Sequence, residues 1–144
     1  MKIVDLNILL NMLNRQSPDH KACLDWWRNS LANEEPIRLA WIVLVGFIRI
    51  STRPGAFDCP LTVVEAVEQV DGWLANPNIA VIYASEDHWQ RMRGMLLQLG
   101  TGGNLTNDAD LAALAIENHA VLVSCDTDFA RFKSLRWENP ASIT

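Results

Sequence analysis

Residues 104–129 read NLTNDADLAALAIENHAVLVSCDTDF, and their reading decides the fold. Thr106 or Asn107 suits a helix N-cap, with Asp108 and Asp110 in the turn that follows. Carboxylates there face the positive end of the helix dipole, worth roughly 0.3–1 kcal/mol each. The run LAALAIEN continues the helix with strong formers and an apolar stripe. Ala120, Val121, Leu122 and Val123 then form a short, continuously apolar run rich in β-branched residues. That pattern belongs to a strand covered on both faces, as in a parallel sheet. At its end stand Asp126 and Asp128.

The start of the chain repeats the arrangement. Lys2, Ile3 and Val4 form a short apolar strand, and Asp5 stands where it stops. In open α/β sheets ligands bind outside the carboxyl ends of the strands. If the two strands are parallel neighbours, Asp5, Asp126 and Asp128 share one crevice, and the helix start brings Asp108 to it. Carboxylates gathered in one pocket repel, and without a cation some take up protons. A hard divalent cation with oxygen ligands relieves this, which points to Mg²⁺.

Between these ends, strands and helices alternate. A helix is expected over residues 6–13, where Asn7 either caps it or positions Asp5. Ser17 and Pro18 read as an N-cap with proline at the first helical position, opening a helix that runs to about Leu31. In its first turn His20 is expected to be solvated. Residues 37–40 read as a second strand and 41–50, apolar almost throughout, as a buried helix. Thr62 caps a helix ending near Ala75, residues 79–83 form a third strand, and Ser85 caps a helix running to Leu99. Trp89, Met92, Met95, Leu96 and Leu99 fall at helical spacing, so they are expected in the core. His119 is expected to cap the end of the 107–118 helix, and a last strand lies within residues 132–137. The alternation gives an α/β fold, a central parallel sheet flanked by helices on both faces, in a single domain of 144 residues.

Several function classes drop out. The net charge of −5 argues against a generic nucleic-acid coat, which needs a basic surface. Arg49, Arg53, Arg91, Arg93, Arg131 and Lys133 remain for local steering of phosphate. The acid balance also suits a basic protein partner. No apolar run reaches the ~20 residues of a membrane span, and the start reads as no signal peptide. Cys23, Cys59 and Cys125 show neither a metal spacing nor a disulfide framework, so they fit a reducing cytoplasm, with Cys23 and Cys125 as core-packing thiols. Glycines 100, 102 and 103 lack the GK[ST] ending of a phosphate loop and read as a turn. No histidine has a Ser or Cys at a nucleophile turn, which removes a hydrolase triad.

Taken together, IVDLNILL at 3–10, WIVLVGFIRIST at 41–52, residues 102–132 and LRWENP at 135–140 resemble the PIN-domain ribonucleases, specifically VapC-type toxins of type II toxin–antitoxin pairs. The resemblance spans nearly the whole chain, in the family's order and spacing. It implies a PIN-like fold and a cytoplasmic, Mg²⁺-dependent endoribonuclease acting on tRNA or rRNA. A VapB-like antitoxin is the implied partner, in a homodimer or a toxin–antitoxin hetero-oligomer. Carried over residue by residue, the metal-binding and catalytic acids are Asp5, Asp108, Asp126 and Asp128. Asp110 stands one position beyond the usual place. Where the family usually has Glu, in a pattern like LxEFxR, residues 44–49 read LVGFIR, with Gly46 at the acid's position. A branch with the pattern W-x-x-L-x-x-F-x-R-I is similar in lacking it. One cation or two therefore stays open.

A glycine inside a helix costs roughly 1 kcal/mol against alanine and needs a reason. Either the helix packs closely there or the acid has been lost. The second reason leads to the expectation that Gly46→Glu raises Mn²⁺ affinity. Two rival readings of the whole remain: another Mg²⁺ phosphohydrolase of Toprim-like kind built on Asp126 and Asp128, or a non-catalytic PIN-like module that binds RNA or a partner.

Overall fold

The computed structural model describes residues 1–142. Five strands form one sheet: β1 (Lys2–Val4), β2 (Ile37–Ala40), β3 (Ile79–Ile82), β4 (Val121–Val123) and β5 (Trp137–Glu138). All pairs are parallel and the order is β3-β2-β1-β4-β5. The chain therefore winds outward from β1 through β2 to β3, then crosses back to lay β4 on the other side of β1. The reversal falls between β1 and β4, where Lys2, Ile3 and Val4 pair with Val121, Leu122 and Val123. A crevice at the carboxyl ends is expected there and nowhere else along the sheet.

Six helices connect the strands: α1 (Leu6–Leu13), α2 (His20–Ala32), α3 (Trp41–Ser51), α4 (Val63–Ala75), α5 (His88–Leu99) and α6 (Leu105–Glu117). Helix α1 packs on α2 and on α3, α3 packs on α4, and α5 packs on α6. Ile3, Val4, Leu39, Leu122 and Val123 are fully buried, or nearly so, which explains why these strands are short, apolar and unalternating. Phe47 of α3 meets Trp73 of α4 edge-on at 4.8 Å, and Trp27 of α2 meets the same ring at 6.0 Å. Among the described residues, no helix is long and apolar enough to cross a membrane.

Two helix ends behave as their residues dictate. Thr62 and Glu65 close a reciprocal capping box at the start of α4. His119 takes φ 52°, Ala120 N donates to Ala115 O and His119 N to Ile116 O, which is the paired bonding of a left-handed C-terminal cap. That cap turns the chain straight from α6 into β4.

Other boundaries differ from expectation. α6 begins at Leu105, two residues early, and Asn104 at its cap makes no side-chain bond. Asp108 keeps its place in the first turn, but Asp110 falls in the second. Ser17 and Ser85 are not caps: α2 and α5 start three residues later, at His20 and His88, after turns that close on Ser17 O and Ser85 O. His20 is not free in solvent, because its Nδ1 lies 2.9 Å from Asn11 O. Trp89 is 58% exposed, since α5 offers only one half-buried face to α6. α3 is not buried all round either: Trp41, Ile42 and Val45 are exposed along one side. The last strand is the two-residue β5, placed at the end of the expected stretch.

Candidate metal centre

The site begins with how β1 stops. Asp5 N donates to Val123 O at 2.9 Å, which carries the ladder one residue past the strand. The Asp5 side chain then caps α1, with Oδ1 accepting from Leu6 N at 2.7 Å. Its Oδ2 accepts from Ser124 Oγ at 2.7 Å and from Asn7 Nδ2 at 3.1 Å. One carboxylate thus ties the first strand, the first helix and the end of β4 together. Burial pushes its pKa up, the Ser124 and Leu6 donors pull it down, and the Asp126 charge adds to the rise, which leaves it raised.

Asn7 settles between its two expected roles. It does not cap α1; its amide spans the crevice instead. Nδ2 reaches Asp5 and, at 3.0 Å, Ser124 Oγ, while Oδ1 accepts from Cys125 N at 3.1 Å. Ser124, fully buried, is the functional residue that sequence reasoning missed. Its hydroxyl donates to Asp5, accepts from Asn7 and accepts from Asp126 N at 3.0 Å. All three bonding positions of a hydroxyl are filled. The available signal was a hydroxyl set directly between an apolar strand and the acid pair.

After β4 the chain tightens into a 3₁₀ turn, Thr127–Arg131, capped by Asp126, whose Oδ1 accepts from Asp128 N at 2.9 Å. Asp126 and Asp128 therefore stand at the lip of the same crevice. One carboxylate oxygen from each of Asp108, Asp126 and Asp128 lies within 4.8 Å of the others. Asp5 lies outside that group. It lines a cavity of about 270 Å³ with Asn7, Ile42, Asn107, Asp108 and Asp126. Asp108 shows the electrostatic cost most plainly: desolvation, then the charges of Asp126, Asp5 and Asp128, push its pKa up to about 7. Of the four expected acids, Asp108, Asp126 and Asp128 meet, while Asp5 lines the cavity without joining their group. Asp110 does not join them, because it is held by His88 Nε2 at 2.5 Å and ties α5 to α6.

The donor set fits a hard divalent cation. It offers only carboxylate and amide oxygens, on one open side, and the raised pKa of Asp108 marks a charge that a cation would neutralise. Sulfur is absent from the lining, and so is imidazole, which disfavours zinc.

Ser124→Ala leaves Asp5 Oδ2 and Asp126 N each short of a partner. Loss of such support around carboxylates that would hold a metal typically costs 10–100-fold in metal affinity, so Mn²⁺ binding should weaken by about that factor. Calorimetry alongside a thermal melt checks it. A Ser124→Ala variant with unchanged Mn²⁺ affinity would show that the Asp5–Asp126 geometry does not depend on this hydroxyl.

Comparison with known proteins places this arrangement. A family model described as PIN domain matches residues 2–135. Ribonuclease VapC37 of Mycobacterium tuberculosis is 42% identical over 143 residues, covering 99% of both chains. Ribonuclease VapC33 of the same species is 38% identical over 140 residues, covering 97% of this chain and 98% of its own. Among solved structures, VapBC2 from Rickettsia felis bound to a DNA fragment from its promoter is similar in fold, with a TM-score of 0.66 at 22% identity over 96% of this chain and 97% of that one.

Proposed function

Since this chain belongs to the PIN-domain family as a VapC-type ribonuclease, the toxin of a toxin–antitoxin pair, we propose that Asp5, Asp108, Asp126 and Asp128 hold Mg²⁺ for endonucleolytic hydrolysis of RNA. PIN-domain ribonucleases are metal-dependent, and Mn²⁺ is the natural substitute at an all-oxygen site. The observation that carries the reading is the meeting of three carboxylates within 4.8 Å at the sheet's reversal point, with Asp108 pushed up to about 7.

The roles divide by position. Asp108, Asp126 and Asp128 would hold the cation through the oxygens they bring together. Asp5 adds a buried charge, oriented by Ser124 and Asn7. A bound divalent cation supplies Lewis acidity to the phosphodiester and makes water a competent nucleophile at neutral pH. No side chain need attack, consistent with the lack of a Ser or Cys aimed into the cavity. Arg131, 3.9 Å from Asp128, sets a basic side chain beside the acids for an incoming backbone.

The partner is a VapB-like antitoxin. The exposed Trp41, Ile42 and Val45 of α3 adjoin the acid cavity through Ile42, which lines it. An antitoxin segment laid there buries apolar surface and brings a basic side chain to the acids, a combination the net charge of −5 favours. The domain acts as a single unit in the cytoplasm, on tRNA or rRNA.

Total cellular RNA incubated with the purified chain should be cut with Mg²⁺ and spared with EDTA; cleavage that persists in EDTA would sink the reading. The pH dependence follows from Asp108. Below about 7 it holds a proton that the cation must displace, so apparent affinity falls about tenfold per pH unit on the acid side and levels off above. Calorimetry of Mn²⁺ binding in buffers of differing ionisation enthalpy should show about one proton released at pH 6 and almost none at pH 8. Equal release at both pH values would count against the assignment of Asp108.

A further inference from the structure

Cys23 and Cys125 lie 102 residues apart in the sequence and meet in the fold, with their sulfurs at 3.5 Å. Neither was expected to have a partner. Cys23 sits in the first turn of α2 and is fully buried, while Cys125 is half-buried in the turn after β4. Asn11 Nδ2 lies 3.9 Å from each sulfur, and the Ala141 N–H also bonds the Cys125 sulfur. A disulfide needs about 2.05 Å between sulfurs, so the pair must close by about 1.5 Å.

The position of Cys125 gives that movement a consequence. It follows Ser124, which holds Asp5, and precedes Asp126. Its own N–H is pinned to Asn7 Oδ1 at 3.1 Å. Cys23 is anchored in the buried core of the molecule. Closing the gap therefore draws the 124–126 turn toward α2 more readily than the reverse. A shift there passes to the Ser124 hydroxyl and to the Asp126 carboxylate together.

We propose that Cys23 and Cys125 form a reversible disulfide with small-molecule disulfides as oxidant, and that this oxidation weakens the metal site by displacing residues 124–126. The consequence for the metal rests on the reading of Asp126 as a ligand; the disulfide itself does not. Cys125, the more accessible sulfur, attacks one sulfur of glutathione disulfide, and a mixed disulfide forms as one glutathione leaves. Cys23 then attacks the Cys125 sulfur and the second glutathione leaves. The two protein thiols lose two electrons and two protons in total, and the oxidant is reduced to two thiols. In a reducing cytoplasm such a bond is transient and sensing rather than structural.

The test uses the full chain in a Cys59→Ser background, because the exposed Cys59 would otherwise form bridges between molecules. The protein is equilibrated with mixtures of oxidised and reduced glutathione, alkylated, and weighed intact, with Mn²⁺ affinity measured in parallel by calorimetry. The expected result is loss of both alkylatable thiols in a monomer, with Mn²⁺ binding about tenfold weaker and restored by dithiothreitol. Before oxidation, Cys23→Ala in the same background should bind Mn²⁺ as the reduced protein does, and under the oxidant it should stop at a Cys125–glutathione adduct seen in the intact mass, because the resolving thiol is gone; Cys23→Ser serves if the alanine variant is unstable. Two thiols that stay free under conditions that oxidise Cys59 in the unaltered chain overturn the pairing. A disulfide that forms without change in Mn²⁺ affinity overturns the coupling. Reduced protein that binds no Mn²⁺ sinks the metal-site reading instead, and the thiol count still decides the pair.

Discussion

Asp108→Asn abolishes RNA cleavage and, in the metal-free protein, raises the melting temperature. The two effects have one cause. Desolvation and the charges of Asp126, Asp5 and Asp128 push the Asp108 pKa up to about 7. The native state therefore holds a proton more tightly than the unfolded chain, whose Asp titrates near 3.8. The sign follows from that. The native state gains as long as the proton stays on, and the gain is lost as pH rises through about 7. At pH 8 in EDTA the folded protein carries an unwelcome charge, which asparagine removes. The side chain is half-exposed, so water screens part of the repulsion, and the rise amounts to a few degrees. It shrinks as pH falls toward 4. With a cation present the same charge is needed, and cleavage falls by about 100-fold or more. Paired melts in EDTA at pH 5 and pH 8, set beside a cleavage assay, check both halves. A variant that cleaves normally, or that melts lower in EDTA at pH 8, removes Asp108 from the site.

That opposition of stability and function explains which parts of the molecule could be read from sequence. Strands β1 and β4 were legible because both faces are covered, which leaves runs of Val, Ile and Leu with no alternation, whereas β2 carries Arg38 between Ile37 and Leu39. The parallel direction of the strands followed from the alternation with helices, and the acids from where the strands stop, whereas the strand order did not come from the sequence. Helix starts were less legible. At Ser17 and Ser85 the hydroxyl residue marks a turn that precedes the helix, and both positions have the same local chemistry as a true cap such as Thr62. Which apolar residues face water was not legible either. Trp41, Val45 and Trp89 fit a helical stripe, yet they lie on sides that no element of this chain covers. Ser124 and the Cys23–Cys125 contact depend on side chains more than 100 residues apart, and no local pattern carries such pairs.

Gly46→Glu lowers the melting temperature by on the order of 10 °C and leaves Mn²⁺ affinity no better. The family's usual acid at this position suggested the opposite, and the packing argues against it. A side chain beginning at Gly46 would start 2.9 Å from Leu6 Cδ2. The close neighbour is thus α1, not the sheet, and Leu6 also lines the acid cavity. Leu6 fills the space through which a glutamate would reach the cation. Forcing both in overpacks a buried position, at about 1–3 kcal/mol, and adds a carboxylate beside four others. The helix itself gains from losing glycine, by up to about 1 kcal/mol, which offsets only part of this. Gly46→Ala isolates that gain: its Cβ meets only the movable end of Leu6, so the melting temperature should change little. The double variant Leu6→Ala with Gly46→Glu empties the space. It should regain part of the lost stability and bind Mn²⁺ more tightly than Gly46→Glu alone. Melting curves and calorimetry on the three variants separate the effects. If Gly46→Glu alone tightens Mn²⁺ binding without loss of stability, Leu6 is not the obstacle, and the position opens directly onto the acids.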